Sequence, residues 1–317
     1  MKGQPCVDIV TGGAGFIGSH LCRALLESGR RVRVIDNLSS GRLSNLDGLF
    51  EAHPEAFEFV EADIRDLKNL RPCFQGVADV YHQAAMTSVE QSVREPQACH
   101  AVNCTGALNV LSCARDAGAS KVVLASSSAV YGDTAENPCR EGRLPAPASP
   151  YAASKLAAEH YARVFDNLYG LPTASLRYFN VYGPRQDPQS AYAAVIPRFI
   201  TRLLQGKPPV IYGDGGQSRD FVHVEDVVSA NLLAARSRQG GLSLNIASGR
   251  SHDLNQLLAL LNTILGRDLK PVHQAARPGD IRRSEADIRL ARQRIGFVPR
   301  TGFEEGLRRT AATYREA

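Results

Sequence analysis

Val7-Asp8-Ile9-Val10-Thr11-Gly12-Gly13-Ala14-Gly15-Phe16-Ile17-Gly18 is an apolar strand that runs into a glycine loop and then into a helix predicted to continue through Leu26. Glycines at such a junction let the backbone approach a diphosphate closely, and the helix N-terminus offers unpaired N–H groups and a partial positive charge. Glycines also mark ordinary turns, but this position between strand and helix favours a dinucleotide site.

A second apolar strand, Val32-Arg33-Val34-Ile35, ends in Asp36, which lies 18 residues after Gly18. An acidic side chain about 20 residues beyond a glycine loop accepts hydrogen bonds from the adenosine ribose and repels a 2′-phosphate. The spacing therefore predicts NAD rather than NADP as the cofactor. Two alternatives stay open, because Asp36 could simply begin a turn and Arg42 could accommodate a 2′-phosphate.

The composition is that of a large and mildly basic chain. Its 317 residues, 44% of them hydrophobic, exceed what one core usually serves and predict two lobes. The 37 Lys and Arg residues against 32 Asp and Glu give a net charge of +5, which is modest for this size, so we expect no nucleic-acid partner. Without a run of about 18 apolar residues, we also expect no membrane partner.

The seven cysteines are an odd number and include no Cys-x-x-Cys pair, so they signal neither a disulfide framework nor a zinc site. We therefore expect reduced thiols in a cytoplasmic protein and no metal. A strand predicted to begin at Val7 leaves no room for a signal peptide, which agrees with that location.

Strand-like and helical segments alternate along the first half of the chain. Apolar strands are predicted near residues 57–63, 77–85 and 121–128, and a helix over 96–118. This alternation implies right-handed βαβ units, so we predict an α/β fold with a doubly wound parallel sheet of the Rossmann type.

From about Phe179 the composition shifts toward Pro, Gly and Tyr, as in Gly183-Pro184-Arg185-Gln186-Asp187-Pro188. Such a shift is typical of a loop-rich segment. We therefore predict an NAD-binding domain over residues 1–178, completed by part of 220–250. A smaller, loop-rich C-terminal lobe over 179–317 is predicted to bind the substrate.

Tyr151 and Lys155 lie four residues apart on a helix that Ser149 and Pro150 are predicted to start, so they share one face. A tyrosine that acts as a base near pH 7 needs its pKa lowered by about three units, or roughly 4 kcal/mol. An ammonium group about 4 Å away supplies about that much at an effective dielectric constant of ~20. Such pairs are common on helix surfaces, but the upstream glycine loop and the polar strand end at 126–128 favour proton transfer on a sugar or alcohol hydroxyl.

Several motifs in order resemble the extended short-chain dehydrogenase/reductase family, and within it the nucleotide-sugar 4-epimerases. They span essentially the whole chain: Thr11-Gly12-Gly13-Ala14-Gly15-Phe16-Ile17-Gly18, Asp63-Ile64-Arg65, His82-Gln83-Ala84-Ala85, Asn103, Ser126-Ser127-Ser128-Ala129-Val130-Tyr131-Gly132, Tyr151-Ala152-Ala153-Ser154-Lys155 and Arg177-Tyr178-Phe179-Asn180-Val181-Tyr182-Gly183-Pro184.

The resemblance implies that NAD contacts a set of residues spread over the first domain. They are Gly12, Gly15, Phe16, Ile17, Asp36, Asn37, Ser40, Gly41, Asp63, Ile64, Gln83, Ala84, Ala85, Thr87, Asn103, Ser126, Tyr151, Lys155, Tyr178 and Val181. It places Asp63 and Ile64 at the adenine and Lys155 at the nicotinamide ribose. The implied catalytic residues are Tyr151, Lys155 and a serine beside the tyrosine. That serine is expected to be Ser127, with its neighbours Ser126 and Ser128 as alternatives.

The residue after the serines helps to choose the reaction. Sugar dehydratases and uronate decarboxylases that this chain resembles carry an acidic residue just after the catalytic Ser or Thr, where this chain has Ser128-Ala129. The resemblance therefore implies an isomerase rather than an eliminating enzyme. Such an epimerase oxidises C4 of a UDP-sugar, lets the 4-keto sugar rotate and reduces it from the other face.

The resemblance also implies a UDP-sugar site. Its residues are Ser88, Ser127, Ser128, Tyr151, Asn180, Ala194, Val195, Tyr212, Arg219, Arg277, Asp280 and Ser284. Arg219 and Arg277 match the arginines that clamp the diphosphate, because their forked donors suit phosphate oxygens, although a surface salt bridge is the usual role of a single arginine. Asp280 resembles the ribose partner and Tyr212 the neighbour of the uracil, whereas Asn180 resembles a diphosphate or sugar contact.

Ser284 occupies the position that resembles the family's specificity determinant, where a small residue accompanies N-acetylated sugars. The implied substrates are UDP-GlcNAc and UDP-GalNAc, unless Ser284 lies slightly off the pocket. A UDP-glucose or UDP-uronate (glucuronate or N-acetylglucosaminuronate) 4-epimerase stays open, the latter encouraged by Arg282 and Arg283. A non-catalytic NAD-binding regulator is disfavoured because the Tyr151/Lys155 pair is intact. The resemblance also implies a homodimer built on the helices at 96–118 and 150–168.

Overall fold

The structure is a computed structural model, and it describes residues 6–134, 136–188, 194–276 and 282–315. Arg277 and Asp280, both expected in the substrate site, lie outside these described residues.

The strands of the described chain, numbered in order, are short. They are β1 (Val7–Thr11), β2 (Val32–Asp36), β3 (Phe57–Glu61), β4 (Val77–His82), β5 (Lys121–Ser127), β6 (Thr173–Tyr178), β7 (Asn180–Tyr182), β8 (Val210–Tyr212), β9 (Ser218–His223), β10 (Leu242–Ile246), β11 (Ser251–Asp253), β12 (Val272–Gln274) and β13 (Arg283–Ser284).

The helices between them vary more in length. They are α1 (Phe16–Glu27), α2 (Leu49–Ala52), α3 (Leu67–Leu70), α4 (Val89–Arg94), α5 (Pro96–His100), α6 (Gly106–Asp116), α7 (Pro150–Tyr169), α8 (Val195–Leu204), α9 (Val224–Arg236), α10 (Leu254–Leu265), α11 (Arg289–Ile295) and α12 (Phe303–Arg315). A π-helical turn, Ala101–Thr105, joins α5 to α6, and 3₁₀ turns cover Leu43–Leu46, Arg71–Phe74 and Ser128–Tyr131.

Seven strands form one parallel sheet in the order β10-β6-β5-β4-β1-β2-β3. The predicted doubly wound parallel sheet is thereby confirmed. Apolar cores cover both faces, one including Leu21 and Val227 and the other including Leu111 and Phe165. The order reverses between β1 and β4, and ligands of such sheets bind at the carboxyl ends of the strands beside this reversal.

A second, smaller sheet is built around β9, which lies between β11 and β13 and also pairs with β7 along its second half. Helices α8, α10 and α12 pack beside it around a separate core that includes Phe199, Leu257 and Leu307. The chain returns to the large sheet after residue 178, because β10 pairs with β6 and α9 packs on α1. The division into residues 1–178 and 179–317 stays a prediction.

Within the described ranges, no helix is both long and apolar enough to span a membrane. The same residues contain no cluster of three or more His, Cys, Asp or Glu side chains suited to hold a metal ion.

Candidate active site

The glycine loop between β1 and α1 leaves no room for side chains. A Cβ atom on Gly12, whose φ is +70°, would lie 2.6 Å from the backbone nitrogen of Ala84. A Cβ atom on Gly18 would lie 2.1 Å from the carbonyl oxygen of Gly12. Gly15 caps α1 without a side-chain hydrogen bond, so the first N–H groups of the helix can donate to a ligand. This bare, close-packed cradle fits a dinucleotide diphosphate.

Asp36 closes one side of this cradle. Its carboxylate accepts hydrogen bonds from the backbone N–H groups of Ala14, at 3.0 Å, and Leu38, at 2.9 Å. Burial raises the pKa of Asp36. Arg42, which kept NADP open, pairs instead with Asp187 at 2.7 Å. The ribose end of the cradle therefore presents a carboxylate, which suits NAD.

Asp63 and Ile64 follow β3 at the same edge of the sheet. The guanidinium group of Arg65 and the amide of Asn37 both donate to the Asp63 carboxylate, and the Arg65 hydrogen bonds hold the pKa of Asp63 well below its usual range. The buried side chain of Ile64 lies against Gly106, where a Cβ atom would approach it to 2.5 Å. These contacts fix both residues beside the loop that follows Asp36.

Side-chain amides hold the segment after β4. Gln83 and Asn103 were predicted at this site from the sequence, whereas Asn231 was not. Gln83 donates to Asn231 at 3.1 Å and accepts from the Tyr178 hydroxyl at 3.2 Å, while Asn231 donates to that same hydroxyl at 2.8 Å. Asn103, in the π-helical turn, holds the backbone of Met86 in both directions. Asn103 thus orders the loop that carries Ala84, Ala85 and Thr87.

The three serines at the end of β5 have different partners. The Ser127 hydroxyl hydrogen-bonds the Tyr151 phenol and accepts the Ala129 N–H at 3.1 Å. The Ser126 hydroxyl donates instead to Glu159, and Ser128 begins a 3₁₀ turn. Among the described contacts, Ser127 is therefore the serine that lies beside Tyr151, and its catalytic role stays a prediction.

Tyr151 and Lys155 lie in the first two turns of α7, which Ser149 caps and Pro150 begins. The Lys155 ammonium lies 5.9 Å from the centre of the Tyr151 ring and donates to the Ala125 carbonyl oxygen at 2.9 Å. Burial lowers the pKa of Lys155 to about 8. Burial also raises the pKa of Tyr151, although the Ser127 hydrogen bond opposes that shift.

The expectation that an ammonium group about 4 Å away lowers the pKa of Tyr151 is therefore wrong: burial raises that pKa instead. The loss of hydration on burial dominates, since a buried phenolate is poorly solvated, and the Ser127 hydrogen bond opposes it. A phenol whose pKa lies above its ordinary value of about 10 is protonated at neutral pH.

Two residues that the sequence analysis did not identify support this helix. The Tyr151 N–H donates to the Ser92 hydroxyl of α4 at 3.1 Å. Glu159, one turn after Lys155, is buried in a fork-to-fork pair with Arg177 at 2.7 Å. Glu159 could have been predicted, because it lies one helical turn after Lys155. Ser92 could not, because it is 59 residues from Tyr151 in the sequence.

The small sheet assembles several predicted substrate residues. Ser284 on β13 lies opposite Arg219 on β9, and Asn180 on β7 lies opposite Phe221 of the same strand. Tyr212 ends β8, and Ala194 and Val195 begin α8. The hydroxyl of Ser88 caps α4 by accepting the Gln91 N–H.

The remaining residues expected to contact NAD lie in three different elements. Phe16 and Ile17 open α1, Ser40 and Gly41 lie in the loop after β2, and Val181 is in β7.

Comparison with known proteins gives consistent matches. A sequence model of the NAD dependent epimerase/dehydratase family matches residues 9–247. A UDP-glucose 4-epimerase of Mycolicibacterium smegmatis is 40% identical over 310 residues, covering 97% of this chain and 98% of that protein.

Solved structures agree over nearly the full length. A UDP-N-acetylglucosamine 4-epimerase from Methanobrevibacter ruminantium M1, in complex with UDP-N-acetylmuramic acid, superposes with a TM-score of 0.93 at 41% identity over 99% of both chains. A UDP-glucose 4-epimerase from Thermus thermophilus, in complex with NAD, superposes with a TM-score of 0.88 at 39% identity, covering 98% of this chain and 99% of that one.

Proposed function

This chain belongs to the NAD dependent epimerase/dehydratase family, and we propose that it is a UDP-sugar 4-epimerase whose substrates are UDP-GlcNAc and UDP-GalNAc. The observation that carries the reaction is the contact between the Ser127 hydroxyl and the Tyr151 phenol beside the buried Lys155 ammonium. A hydroxyl pair next to a cation is suited to move a proton on and off a sugar hydroxyl.

The glycine cradle and Asp36 would hold NAD, with Lys155 at the nicotinamide ribose. When bound in its oxidised form, NAD supplies a reversible hydride acceptor and a positive ring charge. Burial raises the pKa of Tyr151, and a positive charge close to the phenol would lower it toward the range of a base. The sugar gives up a hydride and takes it back, so no net redox change accompanies the reaction.

Tyr151 then takes the proton of the C4 hydroxyl, and Ser127 holds the same oxygen in line. The Lys155 ammonium stabilises the negative charge that develops on these oxygens. Ala129 follows the serines, so no carboxylate is placed there to eliminate water, which supports epimerisation. The 4-keto sugar rotates while Arg219 holds the diphosphate, and the proton returns from Tyr151 to the opposite epimer.

The N-acetylated sugar is supported by the position of Ser284. This small side chain lies opposite Arg219 on the small sheet, where a bulky residue would crowd the proposed diphosphate-binding arginine. The uronate alternative loses one of its arguments, because Arg282 forks onto Asp214 at 2.6 and 2.9 Å. The UDP-glucose alternative is supported by the names of relatives, and an assay with both UDP-sugars distinguishes it from the N-acetylated substrate.

Incubation of the purified protein with UDP-GlcNAc, followed by proton NMR, tests this function. We expect UDP-GalNAc to accumulate without net NAD reduction. If none of UDP-GlcNAc, UDP-glucose and UDP-glucuronate were converted, the epimerase activity would be excluded. If UDP-glucose or UDP-glucuronate were converted but UDP-GlcNAc were not, the proposed N-acetylated substrate would be excluded. Ser284→Tyr should reduce turnover of the acetylated substrate more than that of UDP-glucose, which serves as the internal control.

We further propose a homodimer that uses α7. Tyr161, Val164 and Leu168 are exposed and recur at helical spacing on one face of α7, which packs beside α6. Burial of this stripe against a second copy would remove it from water. Light scattering should give a dimeric mass for the wild type and a monomeric mass for Val164→Asp; a monomeric wild type would exclude the dimer.

We also place the enzyme in the cytoplasm, because all seven cysteines are free thiols, six of them buried.

A further inference from the structure

Asp220, in the middle of β9, is a buried carboxylate that accepts four hydrogen bonds. The N–H and hydroxyl of Ser248 donate to one oxygen at 2.8 and 2.6 Å. The N–H groups of Gly249, at 3.0 Å, and Ala286, at 3.2 Å, donate to the other. The side chain is fully enclosed. One residue thus fastens the turn after β10 and the segment after β13 to the central strand of the small sheet.

Asp220 lies on β9 between the residues that pair with β13 and those that pair with β7. The preceding residue, Arg219, lies opposite Ser284 of β13, and the following residue lies opposite Asn180 of β7. The Asn180 amide donates to the Asp220 carbonyl oxygen at 3.4 Å, and Ala286 stands two residues after Ser284. Asp220 therefore contacts both segments that flank Arg219.

We propose that Asp220 is a positioning residue that sets the spacing of Ser284 and Asn180 around Arg219, and so the preference of the site for N-acetylated over plain UDP-sugars. This inference rests on the proposed function for its substrates. Asp220 acts through these neighbours and not by contact with the reacting atoms.

A carboxylate is the side chain that this position requires. Burial raises the pKa of Asp220 to about 6, so the group is ionised at neutral pH and offers two acceptor oxygens. An amide offers one acceptor oxygen and turns N–H donors toward backbone N–H groups of the adjoining segments. The mismatch would push Gly249 or Ala286 away and displace the strand that carries Ser284.

The chain supplies a matched control in Asp226 on α9. Asp226 is also buried, and it accepts the N–H groups of Arg300 at 2.8 Å and Thr301 at 3.1 Å. These partners contain none of the residues assigned to the substrate. Replacement of Asp226 therefore perturbs another buried carboxylate that accepts only backbone N–H groups, none of them next to Ser284.

The experiment compares Asp220→Asn, Asp226→Asn and wild type as full-length, NAD-loaded proteins. The readout is the ratio of kcat/KM for UDP-GlcNAc to that for UDP-glucose, which does not depend on the folded fraction. Asp220→Asn should lower this ratio about tenfold, because one small group in a pocket discriminates between substrates by about that factor. Asp226→Asn should leave the ratio unchanged, and the bound NAD per folded chain should be equal in all three.

Ser248→Ala, which removes one of the four donors, keeps the inference testable where Asp220→Asn does not fold. It should shift the ratio in the same direction by a smaller factor. An unchanged ratio in every active Asp220 and Ser248 variant would overturn the inference alone. A wild type inactive on both sugars would overturn the proposed function and this inference with it.

Discussion

The Lys155 ammonium donates a 2.9 Å hydrogen bond to the carbonyl oxygen of Ala125, two residues before Ser127 on β5. This bond ties α7 to the end of the strand that carries the proposed catalytic serine. It also places a cation in a buried setting, and burial lowers the pKa of Lys155 from 10.5 to about 8.

The first prediction is that Lys155→Met stabilises the fold while it impairs turnover. The unfolded chain binds the lysine proton more tightly, so the charged group costs about 3 kcal/mol below pH 8, and the cost fades as pH rises to about 10.5. The lost hydrogen bond to Ala125 offsets about 1 kcal/mol. Urea unfolding of nucleotide-free protein at pH 7 should show a gain of about 2 kcal/mol, with kcat reduced at least ~100-fold. A less stable variant would contradict this assignment.

The second prediction concerns the close approach of α1 to the glycine loop. Gly18→Ala places a Cβ atom 2.1 Å from the Gly12 carbonyl oxygen, so α1 must move. We expect a loss of about 3 kcal/mol and weaker NAD binding. Gly29→Ala is the control, because its φ is +78° but nothing lies within 4 Å of the added atom, and it should cost about 1 kcal/mol with normal NAD binding. Equal effects on NAD binding would refute the cradle.

The third prediction concerns the choice between NAD and NADP. Asp36→Asn removes the charge that repels a 2′-phosphate and weakens hydrogen bonds to the ribose, each an interaction of about 1.5–3 kcal/mol. Calorimetric titration should show the preference for NAD over NADP reduced by about 10- to 100-fold. Arg42→Gln should change the preference little, because Arg42 is engaged with Asp187. A larger effect at Arg42 would show that the ribose pocket was assigned wrongly.

The fourth prediction concerns the buried Glu159–Arg177 pair. Glu159→Gln leaves the Arg177 guanidinium without its counter-charge in an enclosed site, so we expect a loss of about 3–5 kcal/mol. The control is the Arg33–Glu58 pair, whose Glu58 side chain is exposed, and Glu58→Gln should cost less than about 1 kcal/mol. Urea denaturation measures both losses. Similar small losses would mean that the buried pair is hydrated.

Local patterns made much of this structure predictable from the sequence. The glycine loop, the strand ending in Asp36 and the Tyr151/Lys155 spacing are each contained in a short segment, so backbone periodicity alone places them. The alternation of strands and helices likewise predicted the parallel sheet.

Long-range contacts explain what the sequence could not supply. Asp220 is bound by residues 248, 249 and 286, and Asn231 meets Gln83 across 148 positions of the chain. No local spacing encodes such pairs. The acidity of Tyr151 was misjudged for a related reason, because its pKa depends on the loss of hydration in the folded site, which a helical spacing does not contain.

The most direct test of the catalytic account is Tyr151→Phe, assayed by NMR on UDP-GlcNAc with NAD content measured in the same sample. Tyr161→Phe, an exposed tyrosine on the same helix, is the control. We predict that Tyr151→Phe retains NAD but loses at least ~100-fold in turnover, while Tyr161→Phe matches the wild type. Turnover by Tyr151→Phe at the wild-type rate would contradict the proton-transfer role on which the proposed reaction depends.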